Sequence, residues 1–130
     1  MRTIKYILIN DSVPEISGGK SGGYTVSNLG HHYVVNSQGM VLNPIDLHQP
    51  GAFMPAPVAG EEDLNRCSIG IKYNGRLTDR QLRPLLLALL LDLRDKFPTA
   101  KILAKSEYDR HHIQVRDDMN QLRREMSDFP

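Results

Sequence analysis

Five short apolar stretches, each bounded by polar or turn-forming residues, carry the strongest pattern in the chain. The segment IKYILIN, residues 4–10, ends in Asn10, Asp11 and Ser12, which is typical of a mostly buried strand. HHYVV and MVLN are separated by NSQG, where Gly39 supplies the positive φ that a hairpin turn needs. CSIGIKY, residues 67–73, and AKILA, residues 100–104, complete the set of five predicted strands.

Two stretches have helical periodicity instead. Thr78 with Gln81 has the spacing of a capping box, and Pro98 ends the element, so we predict a helix from Asp79 to Phe97. Pro84 either kinks this helix or marks a later start, because proline lacks an amide proton. Its predicted core face consists of Leu82, Leu86, Leu89 and Leu93. The terminal stretch VRDDMNQLRREM predicts a second helix, with Met119, Leu122 and Met126 on one face.

The remaining stretches are predicted loops. Residues 13–28 are rich in Gly and Ser, and residues 44–66 contain four prolines and the run GEED, which favours an irregular, functional surface loop with a solvated tip. The resulting order of elements predicts one α/β domain, residues 1–130, with a central mixed β-sheet flanked by helices.

Composition narrows the classes of function. The 16 basic residues nearly balance the 15 acidic ones, so neither nucleic acid nor a membrane surface is an expected partner. The longest apolar run, Leu85 to Leu93, is too short to span a membrane, and we expect the chain as given to be cytoplasmic. Cys67, the single cysteine, lies in the apolar run CSIGI and is predicted to be a buried, unreactive thiol.

Four segments together, in order and spacing, resemble the zinc-dependent N-acetylmuramoyl-L-alanine amidases, which include phage lysozyme-type amidases and peptidoglycan recognition proteins. They are YILINDS, GHHYVVNSQGMVL, SIGIKYNG and LTDRQLRPLLLALLLDLRDKFPTAKILAKSE. The resemblance covers about residues 4–112 and implies an amidase-like fold with a groove for bacterial cell-wall peptidoglycan.

The same resemblance implies that the zinc ligands are missing. Asn10 stands in place of the first ligand histidine, and Lys105 stands in place of the second. The third ligand position falls on Ile113 by an ungapped count, or on His112 with a one-residue gap. An amide is a poor zinc ligand and an ammonium has no lone pair to donate. We therefore expect no metal cofactor.

Four further residues occupy groove positions of the family. His31 stands where the family has a tyrosine that assists catalysis, and His32 matches a histidine that is not a ligand. Arg110 falls near the position of a basic assisting residue, and Phe53 replaces a histidine of the groove loop. If His31 and His32 lie on a regular strand, one faces the core with its nitrogens hydrogen-bonded and the other faces the groove.

Three hypotheses for function remain open on this basis. The leading one is a catalytically degenerate amidase homologue that binds a peptidoglycan fragment or a protein partner without hydrolysis. The second is an active amidase with a relocated metal site built from His31, His111 and His112. The adjacent His111 and His112 are, however, more typical of a solvated pair in a loop. The third is an interaction protein whose groove has no ligand. The candidate binding residues are Asn10, His31, His32, Phe53, Lys105, Arg110 and His112.

The Asn10–Lys105 pair also has two interpretations. In the first, the Lys105 ammonium occupies the place of the lost ion and donates to Asn10 or to a nearby carboxylate. In the second, it binds a carboxylate or an amide of a muropeptide.

Overall fold

A computed structural model of the chain describes residues 2–10, 30–54, 57, 59–74, 80–105 and 113–129, with only the backbone described for 113–116. Within these ranges it has five strands and three helices. The strands are β1 (Tyr6–Asn10), β2 (Tyr33–Val35), β3 (Val41–Leu42), β4 (Ser68–Tyr73) and β5 (Lys101–Ala104). The helices are α1 (Leu64–Cys67), α2 (Arg83–Lys96) and α3 (Ile113–Ser127).

The five strands form one sheet in the order β3-β2-β4-β1-β5. β1 is parallel to both β4 and β5, and β4 is also parallel to β2, whereas β3 pairs antiparallel with β2. The predicted α/β class with a mixed sheet is therefore confirmed, and the sheet is mostly parallel. No helix within the described ranges is long and apolar enough to cross a membrane.

One face of the sheet carries the main hydrophobic core. Strand residues alternate between faces, and the apolar residues that point to the helices are Ile7, Ile9, Val35, Ile69, Ile71, Tyr73 and Ala104. Against them pack leucines of α2 and Met119, Leu122 and Met126 of α3, so the predicted core face of the terminal helix is confirmed. The opposite face carries Leu8 and Val34, which are buried but lie outside this core.

Helix α2 begins later than the predicted Asp79. Its first residue is Arg83, with Leu82 as N-cap and Pro84 in the first turn, a position where the missing amide proton breaks no helical hydrogen bond. The structure thus agrees with the interpretation of Pro84 as a late start. The proposed cap residue Thr78 lies outside the described residues. Leu82, Leu86, Leu89 and Leu93 are buried as predicted.

The segment 44–66 is less irregular than expected. Leu64 to Cys67 form α1, whose N-cap Asp63 accepts a hydrogen bond from the Asn65 amide at 3.2 Å. Cys67 therefore ends a helix instead of opening a strand, and its side chain is half-buried instead of buried. Burial still raises the pKa of this thiol. The turn prediction at Gly39 is confirmed, since its φ is +86°.

Candidate functional site

Three polar residues stand at or near the carboxyl ends of the parallel strands β1, β4 and β5. Asn10 is the last residue of β1 and is the register partner of Lys72 in β4. Lys105 follows β5 directly, one position beyond the Ile9–Ala104 pair. We call these residues the carboxyl-end cluster. The carboxyl ends of parallel strands are the usual place for ligand sites in open α/β sheets.

Lys72 is the member of this cluster that the sequence analysis missed. Its side chain is only 2% exposed, and it interacts with other groups of the protein. Asn10 and Lys105 are half-buried. Burying an ammonium is costly unless it is paired or hydrogen-bonded, so a lysine inside the otherwise apolar run SIGIKY was a usable signal. Asn10 and Lys72 point away from the helices, because Ile9 and Ile71 point towards them.

A second group of residues is built around the imidazole of His32. The Gly70 amide donates to His32 Nδ1 at 3.0 Å, so Nδ1 carries no proton. Nε2 therefore holds the proton and donates to the Gln49 carbonyl at 2.7 Å. The His32 ring thus accepts the hydrogen bond of the Gly70 amide in place of a carbonyl of a neighbouring strand. The Gly30 carbonyl accepts a different hydrogen bond, from the Ala52 amide at 2.8 Å.

Arg2 completes the surroundings of this imidazole. Its Nη2 lies 2.7 Å from His32 Nε2, but both groups are donors in the assigned tautomer, so this contact is not a hydrogen bond. Its Nη1 donates to the carbonyls of Arg66 and Ser68, both at 2.9 Å, and its Nε donates to that of Leu47 at 3.1 Å. Burial, followed by the Arg2 charge, lowers the pKa of His32, although the Gln49 carbonyl opposes this. His32 is therefore neutral and holds the loop to the sheet.

Phe53 lies between the two histidines and above β4. Its ring is stacked on His31 with a centroid distance of 5.2 Å and meets His32 edge-on at 6.0 Å. A Cβ at Gly70 would come within 2.6 Å of the Phe53 ring, so a residue without a side chain is required there. Because Gly70 and Lys72 are two residues apart on one strand, Phe53 and Lys72 occupy the same face of the sheet.

The side chain of Asn65 sets the position of Phe53. Its Oδ1 accepts from the amides of Phe53 and Met54 at 3.0 Å each, and its Nδ2 donates to the Met54 carbonyl at 3.0 Å. This amide imitates the edge of a strand and fixes the backbone that carries the aromatic ring. We call Phe53, His31, His32 and Gly70 the aromatic cluster.

The two histidines do not diverge to opposite faces as residues of a regular strand would. β2 begins only at Tyr33, so His31 and His32 precede it. Both are fully buried and both contact Phe53. One part of the expectation for this pair is confirmed, because both ring nitrogens of His32 are hydrogen-bonded.

The predicted site residues thus fall into three sets. Asn10 and Lys105 lie in the carboxyl-end cluster, and His31, His32 and Phe53 lie in the aromatic cluster. Arg110, His111 and His112 lie outside the described residues. Within the described part of the chain, no three His, Cys, Asp or Glu side chains are placed to hold a metal ion. No protein family, curated protein or solved structure matches the chain.

Proposed function

We propose that the protein is a catalytically degenerate relative of the N-acetylmuramoyl-L-alanine amidases that binds peptidoglycan fragments without hydrolysing them. The observation that carries this proposal is the register of β1 and β5, in which Asn10 and Lys105 are the residues that directly follow the last pair, Ile9 and Ala104. The sequence resemblance assigns two of the three zinc ligands of the family to these positions. Lys72 is the register partner of Asn10 on β4.

These residues do not fit a zinc ion. Catalytic zinc is held by three protein donors such as His, Cys, Asp or Glu, with water in the open position. A lysine ammonium has three donors and no lone pair, and its positive charge would repel the ion. Without the metal, the means of generating a hydroxide nucleophile at neutral pH is lost.

The same residues suit a carboxylate or amide of a peptide stem. The Lys105 ammonium is a compact charge with three donors, and the Asn10 side chain offers both a donor and an acceptor. On the same face, the half-buried Phe53 ring supplies an apolar surface. A muropeptide combines carboxylates, amides and a sugar, and so has groups complementary to both clusters.

Sedimentation with purified sacculi, freed of teichoic acids, tests this proposal. We expect the protein to sediment with the sacculi and to release no peptide, whether or not zinc is added. A hydrogen bond between charged groups contributes about 1.5–3 kcal/mol, so Lys105→Gln should weaken binding about tenfold or more. Lys96→Gln is the matched control, because it removes the same charge from an exposed residue at the end of α2, on the other face of the sheet.

Three results would contradict the proposal. Failure to sediment would remove the peptidoglycan ligand and favour a protein partner or a groove without a ligand. Equal weakening by the two lysine variants would mean that binding depends only on net charge. Release of peptide that a chelator stops would establish an active amidase with a relocated metal site, and His31, His111 and His112 would be its candidate ligands.

A further inference from the structure

A second concave site lies at the amino end of the sheet, opposite the carboxyl-end cluster. It is a cavity of about 280 Å³ lined by Thr3, Ile4, Lys5, Tyr6, Thr99 and Lys101. These residues come from the chain entering β1, from the turn after α2 and from the start of β5. The Lys101 amide donates to the Lys5 carbonyl at 2.9 Å, which fixes these segments against each other.

The polar side chains of this cavity are mostly hydrogen-bond donors. Among its lining residues, Lys5 and Lys101 carry ammonium groups, and Thr3 and Thr99 carry hydroxyls. The nearby Glu62 carboxylate is not part of the lining, and its two oxygens accept from Lys5 and from the Tyr6 hydroxyl. This contact raises the pKa of Lys5, which keeps the ammonium charged.

Lys101 supplies the positive charge that is available to a ligand. It is exposed, and within the described ranges no carboxylate lies within ion-pair distance of it. Lys5 is thus balanced by Glu62, whereas Lys101 has no ion-pair partner among the described residues. An ammonium with neighbouring hydroxyls is a donor set that suits phosphate oxygens.

The size and floor of the cavity indicate more than a bare ion. Its volume is near the lower end of the range of small-molecule sites, which is about 300–1,000 Å³. Ile4 and Tyr6 provide an apolar and aromatic surface beside the charged groups. We propose that this cavity binds a phosphomonoester of monosaccharide size, with the phosphate at Lys101 and the sugar against Tyr6. The proposal is independent of the function proposed for the carboxyl-end cluster.

Amide chemical shifts of the intact protein, recorded at constant ionic strength, test this site. Glucose 6-phosphate should cause saturable shifts at residues 3–6 and 99–101, inorganic phosphate should bind there more weakly, and glucose should cause no shifts at millimolar concentration. Lys101→Gln should weaken binding of glucose 6-phosphate about tenfold or more. Arg80→Gln, which removes one positive charge from an exposed residue at the other end of α2 from Thr99, should bind it like the unchanged protein.

Because Lys101 is exposed, we expect Lys101→Gln to fold like the unchanged protein, and the amide spectrum of the variant checks this directly. Absence of saturable shifts at residues 99–101, or unchanged affinity in Lys101→Gln, would overturn the proposal. Equal affinity for inorganic phosphate and glucose 6-phosphate would overturn the assignment of the sugar to the floor at Tyr6.

Discussion

Replacing Gly70 by alanine tests the packing of the aromatic cluster most directly. The new Cβ would lie 2.6 Å from two atoms of the Phe53 ring, a distance at which one of the groups must move. The Asn65 side chain holds the backbone of Phe53 through the amides of Phe53 and Met54, so the ring can move only by rotating about its own side-chain bonds, which disturbs its contacts with His31 and His32. Overpacking of this kind costs about 1–3 kcal/mol.

A smaller opposing effect reduces the net change. Alanine loses less backbone entropy on folding than glycine, which favours the variant by about 0.5–1 kcal/mol in a regular strand. We therefore expect Gly70→Ala to lower the free energy of unfolding by up to about 2.5 kcal/mol. Removing the ring should remove the clash, so the same substitution in a Phe53→Ala background should be neutral or slightly stabilising.

Urea unfolding of the two single variants, the double variant and the unchanged protein measures this coupling. Gly39→Ala in both backgrounds is the control. Gly39 has a φ of +86°, and a Cβ there would meet only Leu85 Cδ1, at an ordinary contact distance of 3.8 Å, so its cost of about 1–2 kcal/mol comes from the backbone and should not depend on Phe53. If Gly70→Ala costs the same with and without the Phe53 ring, then the packing of Phe53 on Gly70 is wrong.

Three further predictions concern stability. Leu89 is buried in the core between α2 and the sheet, so Leu89→Ala should cost about 2–5 kcal/mol in urea unfolding, and a cost below about 0.5 kcal/mol would contradict its burial. Asn65→Ala should cost about 1–3 kcal/mol, because it leaves the amides of Phe53 and Met54 without their acceptor; a neutral effect would contradict the role of Asn65. The pKa of His32 in the folded protein is below its ordinary value of 6.5, so the folded state binds the proton less well than the unfolded state. The free energy of unfolding should therefore hold above pH 6.5 and fall as the pH drops below it, and His32→Gln should show a smaller fall if His32 is responsible.

Local patterns in the sequence determined where the elements lie. Met119, Leu122 and Met126 recur at helical spacing and form one buried face of α3, and the tight turn at Gly39 depends on one residue's φ. These predictions succeeded because helical periodicity, strand alternation and turn geometry are set by neighbours within a few positions along the chain. The start of α2 was less certain, because two local signals compete: the capping-box spacing of Thr78 and Gln81 favours an early start, and Pro84 favours a later one.

The tertiary structure decided what the polar residues do. The Asn10–Lys72 pair joins residues far apart in sequence and depends on β1 lying between β4 and β5, an order that no local pattern contains. The tautomer of His32 likewise depends on the Gly70 amide and the Gln49 carbonyl, and its lowered pKa depends first on burial and then on the Arg2 charge. Such contacts follow from the pairing and register of distant strands. The residue types alone therefore could not show that His31 and His32 pack around Phe53, or that Lys72 lies beside Asn10.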